Sequence, residues 1–199
     1  MTPLVVYLHG FRSSPQSAKA RALVHAVAAL PAASRVALVV PDLGHQPAAA
    51  IGSVLDIVAR EHRHGAPLTF VGSSLGGFYA THLAERLGAR AALINPAVRP
   101  WEDLEPWLGT QTNLYTGESF EVTDGHFDEL RALAVSNLTQ PDRYLLLVQT
   151  GDEVLDYRQA IAFYAGARQY VQGGGDHAFQ DFGAQIPAIL RFATDGEPG

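Results

Sequence analysis

The 199-residue chain contains no cysteine. That absence removes disulfides, zinc–thiolate sites, iron–sulfur clusters and a thiol nucleophile from consideration. It has no run of Lys and Arg, and its formal charge is −6 with a pI near 5.7. A chain with so little positive charge lacks the surface that neutralises phosphates, so no nucleic-acid partner is expected. Long apolar runs are missing too: none approaches the roughly 18 residues that cross a bilayer, and no membrane span is expected. Met1 leads almost directly into Leu4-Val5-Val6-Tyr7-Leu8 with no basic n-region and no small-residue cleavage site, which predicts a cytoplasmic protein. Internal repeats and low-complexity segments are absent.

What is present is ordinary globular material, 47% hydrophobic and 17% charged, too apolar to stay disordered. The length suits one domain, residues 1–199, around one sizeable core. Runs of branched apolar residues predict strands at Leu4–Leu8, Val36–Val40, Leu68–Val71, Ala91–Ile94, Tyr144–Val148 and Gln169–Val171. Several are continuous instead of alternating, as in strands buried on both faces of a parallel sheet. Ala-rich segments with helical spacing lie between them at Ser17–Leu30, Ala48–His62, Ser74–Leu87, Asp156–Ala165 and Phe182–Phe192. The alternation predicts an α/β fold: a compact, doubly wound, mostly parallel sheet of about six strands with helices on both faces. Residues 96–142 break the rhythm, holding both tryptophans and one helix near Phe127–Val135. This lid-like or pocket-forming excursion is expected over the carboxyl ends of the strands. The tail Ala193–Gly199 is expected to fray.

The strongest local signal is Gly72-Ser73-Ser74-Leu75-Gly76, between the apolar strand Leu68–Val71 and the helical run from Phe78. G-x-S-x-G between a strand and a helix is a nucleophile elbow. The serine sits on a sharp turn, where a Cβ two residues before or after it would meet neighbouring backbone. A serine hydroxyl is a weak nucleophile until a base takes its proton and a third group orients that base, in the chain order Ser, acid, His. His177 follows the last strand in Gly173-Gly174-Gly175-Asp176-His177, and Asp152 follows the strand ending near Val148, in Gly151-Asp152-Glu153. Other acids fit less well. Asp176 and Glu153 adjoin His177 and Asp152 in extended chain, so their side chains point elsewhere, and Asp156 suits the N-cap of the next helix. Ser74, His177 and Asp152 are therefore the candidate triad.

An oxyanion would need two N–H donors, assigned to Leu75 after the nucleophile and Phe11 in the loop His9-Gly10-Phe11 after the first strand. Trp101, Trp107 and Tyr115, in the excursion, are candidates to wall a substrate pocket, with packing against the domain as the alternative. Pro41-Asp42-Leu43-Gly44-His45 reads as a structural turn, and His62 and His64 as a solvated helix end. No metal site or cofactor is expected.

Leu8-His9-Gly10-Phe11, Ser13-Ser14-Pro15, Val71 to Gly77, Asn95 to Pro100, Tyr115-Thr116-Gly117, Gln149 to Arg158 and His177-Ala178-Phe179 together resemble the YqiA-type esterases, a compact family of the α/β-hydrolase superfamily. The likeness spans nearly the whole chain; Asp42-Leu43-Gly44-His45 departs from the proline-rich turn of that family. The resemblance implies an α/β-hydrolase fold and hydrolysis of a small-molecule acyl ester or thioester, with Ser74, Asp152 and His177 in the roles given above. Two other functions remain open at this point: a non-catalytic binding protein of the same fold, and a lyase using the same pocket.

Overall fold

A strand that is apolar at every position must be covered on both faces, and Leu4–Leu8 and Tyr144–Gln149 are buried throughout. The fold supplies that cover. A computed structural model describes residues 1–195. Its elements are β1 (Leu4–Leu8), α1 (Ala18–Ala28), β2 (Ala37–Val39), α2 (Pro47–Glu61), β3 (Leu68–Ser73), α3 (Leu75–Leu87), β4 (Arg90–Ile94) and α4 (Pro100–Asp103). They continue with β5 (Gly109–Thr112), β6 (Ser119–Val122), α5 (Asp124–Ala132), β7 (Tyr144–Gln149), α6 (Tyr157–Phe163), β8 (Arg168–Gln172) and α7 (Phe182–Asp195).

Among the described residues six strands form one sheet in the order β2-β1-β3-β4-β7-β8, every neighbouring pair parallel. Alternate side chains build two cores. Leu4, Val6, Phe70, Leu93 and Leu146 face α2, α3, α5 and α6, whereas Val5, Tyr7, Val71, Ala92 and Leu147 face α1 and α7. The chain moves outward from β1 to β2 and then returns past β1 to β3, so the winding reverses between β1 and β3. Ligands of such sheets bind outside the carboxyl ends of the strands at that reversal. The register pairs Leu8 with Gly72, which sets the loop after β1 beside the turn after β3.

Each of the six strand segments read from apolar runs is present, with ends shifted by two residues or fewer. The excursion differs in detail. Its helix begins at Asp124 and not near Phe127, because Thr123 and His126 form a capping box. It also contains the antiparallel hairpin β5–β6, which packs over the carboxyl end of β1: Leu114 N–H donates to the Arg12 carbonyl at 2.9 Å and the Asn113 amide to the Ser13 carbonyl at 2.9 Å. The expected fraying from Ala193 is corrected, since α7 continues to Asp195 with Ala193 buried against the sheet. Residues 196–199 lie outside the described residues. Among the described residues no helix is long and apolar enough to cross a membrane.

Candidate active site

The turn from β3 into α3 puts Ser74 at φ +56° and ψ −123°, a backbone conformation that side-chain-bearing residues hold only when their surroundings enforce it. The surroundings are glycines. A Cβ on Gly72 would overlap the Gly76 carbonyl, one on Gly76 would overlap the Leu8 and His9 carbonyls, and one on Gly77 would lie 2.6 Å from Pro96 Cβ. Backbone therefore touches backbone at Gly72 and Gly76, and the Pro96 ring closes on Gly77. Ser74 N–H donates to the Ile94 carbonyl at 3.0 Å, and its own carbonyl accepts from Gly77 and Ala97 at 2.8 and 3.1 Å. Its side chain is left directed at the open end of the sheet.

His177 reaches Ser74 from the loop after β8. Its Nε2 lies 3.1 Å from Ser74 Oγ, and its Nδ1 lies 2.9 and 3.0 Å from the two carboxylate oxygens of Asp152. The Asp152 side chain is 2% exposed and that of His177 22%. Asp152 Oδ1 also accepts the N–H groups of Val154 and Leu155, both at 2.9 Å. An ionised carboxylate only accepts, so Nδ1 carries the proton and Nε2 is the acceptor for the serine hydroxyl.

Three groups that sequence reasoning missed hold the histidine loop. Asn95, at the end of β4, donates its amide to the carbonyls of Asp176 and His177 at 3.0 and 3.3 Å while its Oδ1 accepts from Gln149 N–H at 2.9 Å. Gln149, at the end of β7 and fully buried, accepts from the N–H groups of Asp176 and Gln180 at 3.2 and 2.8 Å. Glu153 accepts the His177 N–H at 3.0 Å. For Asn95 and Gln149 the available signal was a lone polar residue closing an apolar strand, since a buried amide must find partners.

The loop after β1 crosses the serine closely: a Cβ on Gly10 would lie 3.2 Å from Ser74 Cβ and 3.6 Å from Oγ. His9 fixes that loop. Its Nδ1 donates to the Gly10 carbonyl at 3.1 Å and its Nε2 accepts Leu43 N–H at 3.3 Å, and burial holds its pKa below the ordinary histidine value. Leu75, first residue of α3, has no intrahelical acceptor for its N–H. Phe11 leads the chain away from Gly10 and packs edge-on against Phe120 and Trp107 at 5.9 and 6.2 Å.

A cavity of about 210 Å³ opens beside Ser74 and His177, lined also by Tyr7, Phe11, Lys19 and Tyr115. Of the three aromatic residues expected to wall a pocket, Tyr115 lines it. Trp101 and Trp107 do not: Trp101 stacks edge-on against Phe78 at 6.2 Å, and Trp107 is held between Phe11 and the Arg12 guanidinium. A larger hollow of about 890 Å³ is lined by Met1–Pro3, Val36 and Pro67, at the amino ends of the strands and far from Ser74. Asp103 is half-buried within the electrostatic reach of the site. Its pKa is pushed up to about 6 by burial and by the nearby Glu102 and Asp152 carboxylates, against a smaller opposite effect of His177.

The profile of the uncharacterised protein family UPF0227 matches residues 4–194, nearly the entire chain. The chain belongs to this YqiA-like family. Solved structures similar to this YqiA-like protein include a monoacylglycerol lipase from Paleococcus ferrophilus, at 15% identity and a TM-score of 0.70 over 98% of this chain and 96% of that one. Est1E from Butyrivibrio proteoclasticus aligns at 17% identity and TM-score 0.65 over 96% of this chain and 86% of that one. Mouse alpha/beta hydrolase domain-containing protein 10 aligns at 19% identity and TM-score 0.64 over 96% and 87%. At such identities the likeness is one of architecture, and the architecture is the α/β-hydrolase fold.

Proposed function

We propose that this protein is a serine hydrolase that cleaves carboxylic esters, and thioesters by the same route, through an acyl-enzyme. The observation that carries the reading is the unbroken line from Ser74 Oγ to His177 Nε2 at 3.1 Å and from Nδ1 to Asp152 at 2.9 Å. In this reading His177 takes the serine proton as Oγ bonds to the substrate carbonyl carbon, and the carbonyl π pair moves to oxygen. The N–H groups of Leu75 and Phe11 receive the oxyanion, aided by the positive end of α3. Collapse breaks the bond to the leaving alkoxide or thiolate, which collects the proton from His177. Water then repeats the sequence in reverse and frees the acid. Asp152 keeps the proton on Nδ1 and stabilises the imidazolium as it forms. The esterase and lipase descriptions of structural neighbours favour the same chemistry. A binding protein of this fold would have no use for the complete Ser74–His177–Asp152 line, and nothing in the site favours a lyase.

The test is turnover of a panel of short- to long-chain esters and thioesters by the wild type and two serine variants. Ser74→Ala is expected to abolish turnover with the fold intact, and Ser73→Ala to keep most of it. Equal loss from both changes would refute the assignment.

A further inference from the structure

The 210 Å³ cavity beside Ser74 is smaller than the roughly 300–1,000 Å³ of sites that enclose a whole drug-sized ligand. It has room for one short arm of a substrate. The lining holds the ammonium of Lys19 and the hydroxyls of Ser13 and Tyr115, beside the Tyr7, Ser17 and Ser73 hydroxyls that hydrogen-bond to one another, with no carboxylate. Lys19 is the one lysine among the 14 Lys and Arg residues of the chain. It sits in the first turn of α1, whose capping residue Ser17 lines the same space.

Lys19 Nζ commits one donor to the Ala178 carbonyl, at 2.7 Å. Among the described residues no carboxylate makes an ion pair with it. Burial holds its pKa below the ordinary ammonium value, while Asp176 and Asp152 act in the opposite direction from beyond contact range. A half-buried ammonium without a contacting counter-ion pays for desolvation that a bound anion would offset. Its compact charge on a flexible stem suits a small anionic group, where a guanidinium fork needs more room. On a molecule of net charge −6, this local cation favours an anion in the cavity.

We propose that the cavity is a subsite for a carboxylate carried by the substrate, held by Lys19 Nζ together with the Ser13 and Tyr115 hydroxyls. The preferred substrates are then short esters or thioesters with a carboxylate on the arm that enters the cavity. This inference rests on the hydrolase reading above.

Two matched pairs of esters test it. Monomethyl glutarate against methyl pentanoate places the charge on the acyl arm, and the butyrate ester of γ-hydroxybutyrate against butyl butyrate places it on the alcohol arm. The wild type is expected to prefer the anionic member of at least one pair. Lys19→Met is expected to cut the anionic-to-neutral ratio of kcat/KM roughly tenfold or more, with Lys19→Gln acting alike and Lys19→Arg keeping part of the preference. A ratio that is unchanged while both rates fall would overturn the subsite, because that is the result if Lys19 only ties α1 to the His177 loop. Calorimetric binding of monomethyl glutarate to the Ser74→Ala protein, with and without Lys19→Met, separates this inference from its premise. Lysine-dependent binding with no ester turnover in the wild type would sink the hydrolase reading and keep the subsite. Turnover of neutral esters with no preference for the anion would keep the hydrolase and sink the subsite.

Discussion

Asp152 uses both of its oxygens, facing His177 Nδ1 with the pair while Oδ1 also takes two backbone N–H groups. Its rivals are engaged elsewhere. Asp176 takes the Gln180 amide at 3.0 Å, and Asp156 caps α6 by accepting Arg158 N–H at 3.0 Å. Replacing Asp152 by Asn keeps the shape but sets an amide N–H₂ against Nδ1–H, so the ring favours the wrong tautomer. In serine proteases that change costs about 10⁴ in turnover. Asp152→Asn is expected to lose at least roughly 10² here, with near-normal stability, while Asp156→Asn and Asp176→Asn lose far less; steady-state kinetics on an ester would decide. Of the reasoning that set Asp152 opposite His177, helix capping holds for Asp156, but the expectation that Glu153 points elsewhere is corrected: Asp152 lies in a turn and not in extended chain, and Glu153 reaches the His177 backbone. That grip on the His177 N–H was not legible in the sequence, since it depends on how two loops meet.

The β3–turn–α3 unit is built by close backbone contact, so its glycines carry structural weight out of proportion to their size. A methyl group on Gly76 would overlap the carbonyls of Leu8 and His9, which cannot yield without shifting β1 against β3. Gly76→Ala is therefore expected to lose more than about 3 kcal/mol, beyond the usual cost of overpacking. Gly173→Ala, where a Cβ meets nothing within 4 Å, should lose little by the same denaturant titration. Comparable losses at the two positions would contradict the packing account. This unit was legible because glycine spacing and apolar strand reinforce each other. The hairpin β5–β6 was not. It is a two-stranded ribbon outside the main sheet, with exposed and half-buried positions alternating along most of its length, and part of its anchorage comes from Asn113 and Arg12 hydrogen bonds to the opposite backbone.

Across the whole molecule, the loops after β1, β3, β4, β7 and β8 converge at one end of the sheet, and each contributes to the site. The order of strands and helices made that convergence predictable, and with it the approach of Ser74, His177 and Asp152 to one another. Asn95 and Gln149 remained hidden because a polar residue after an apolar run also marks an ordinary strand end. Asp103 remained hidden because its burial arises from tertiary packing of the excursion. Its raised pKa couples the site to global stability. The folded chain retains this proton up to about pH 6, whereas the unfolded chain releases it near 3.8, so stability from this group falls as pH rises between those values and stays lower above them. Asp103→Asn is expected to raise stability by roughly 1 kcal/mol at neutral pH, a figure discounted for partial solvent screening, with the gain vanishing below about pH 4. Thermal unfolding at several pH values measures this; an equal gain at pH 4 and pH 7 would contradict it.

In the proposed mechanism the Ser74 hydroxyl, and no other, is the nucleophile. A fluorophosphonate probe reads that property directly, because Oγ bonds to phosphorus as fluoride leaves and the adduct stays on the residue that reacted. Labelling followed by peptide mass mapping is predicted to place a single adduct on Ser74, to fail with Ser74→Ala, to persist with Ser73→Ala and to slow sharply with His177→Ala. A wild-type protein that stays unlabelled, or a Ser74→Ala protein that labels as fast as the wild type, would contradict the account.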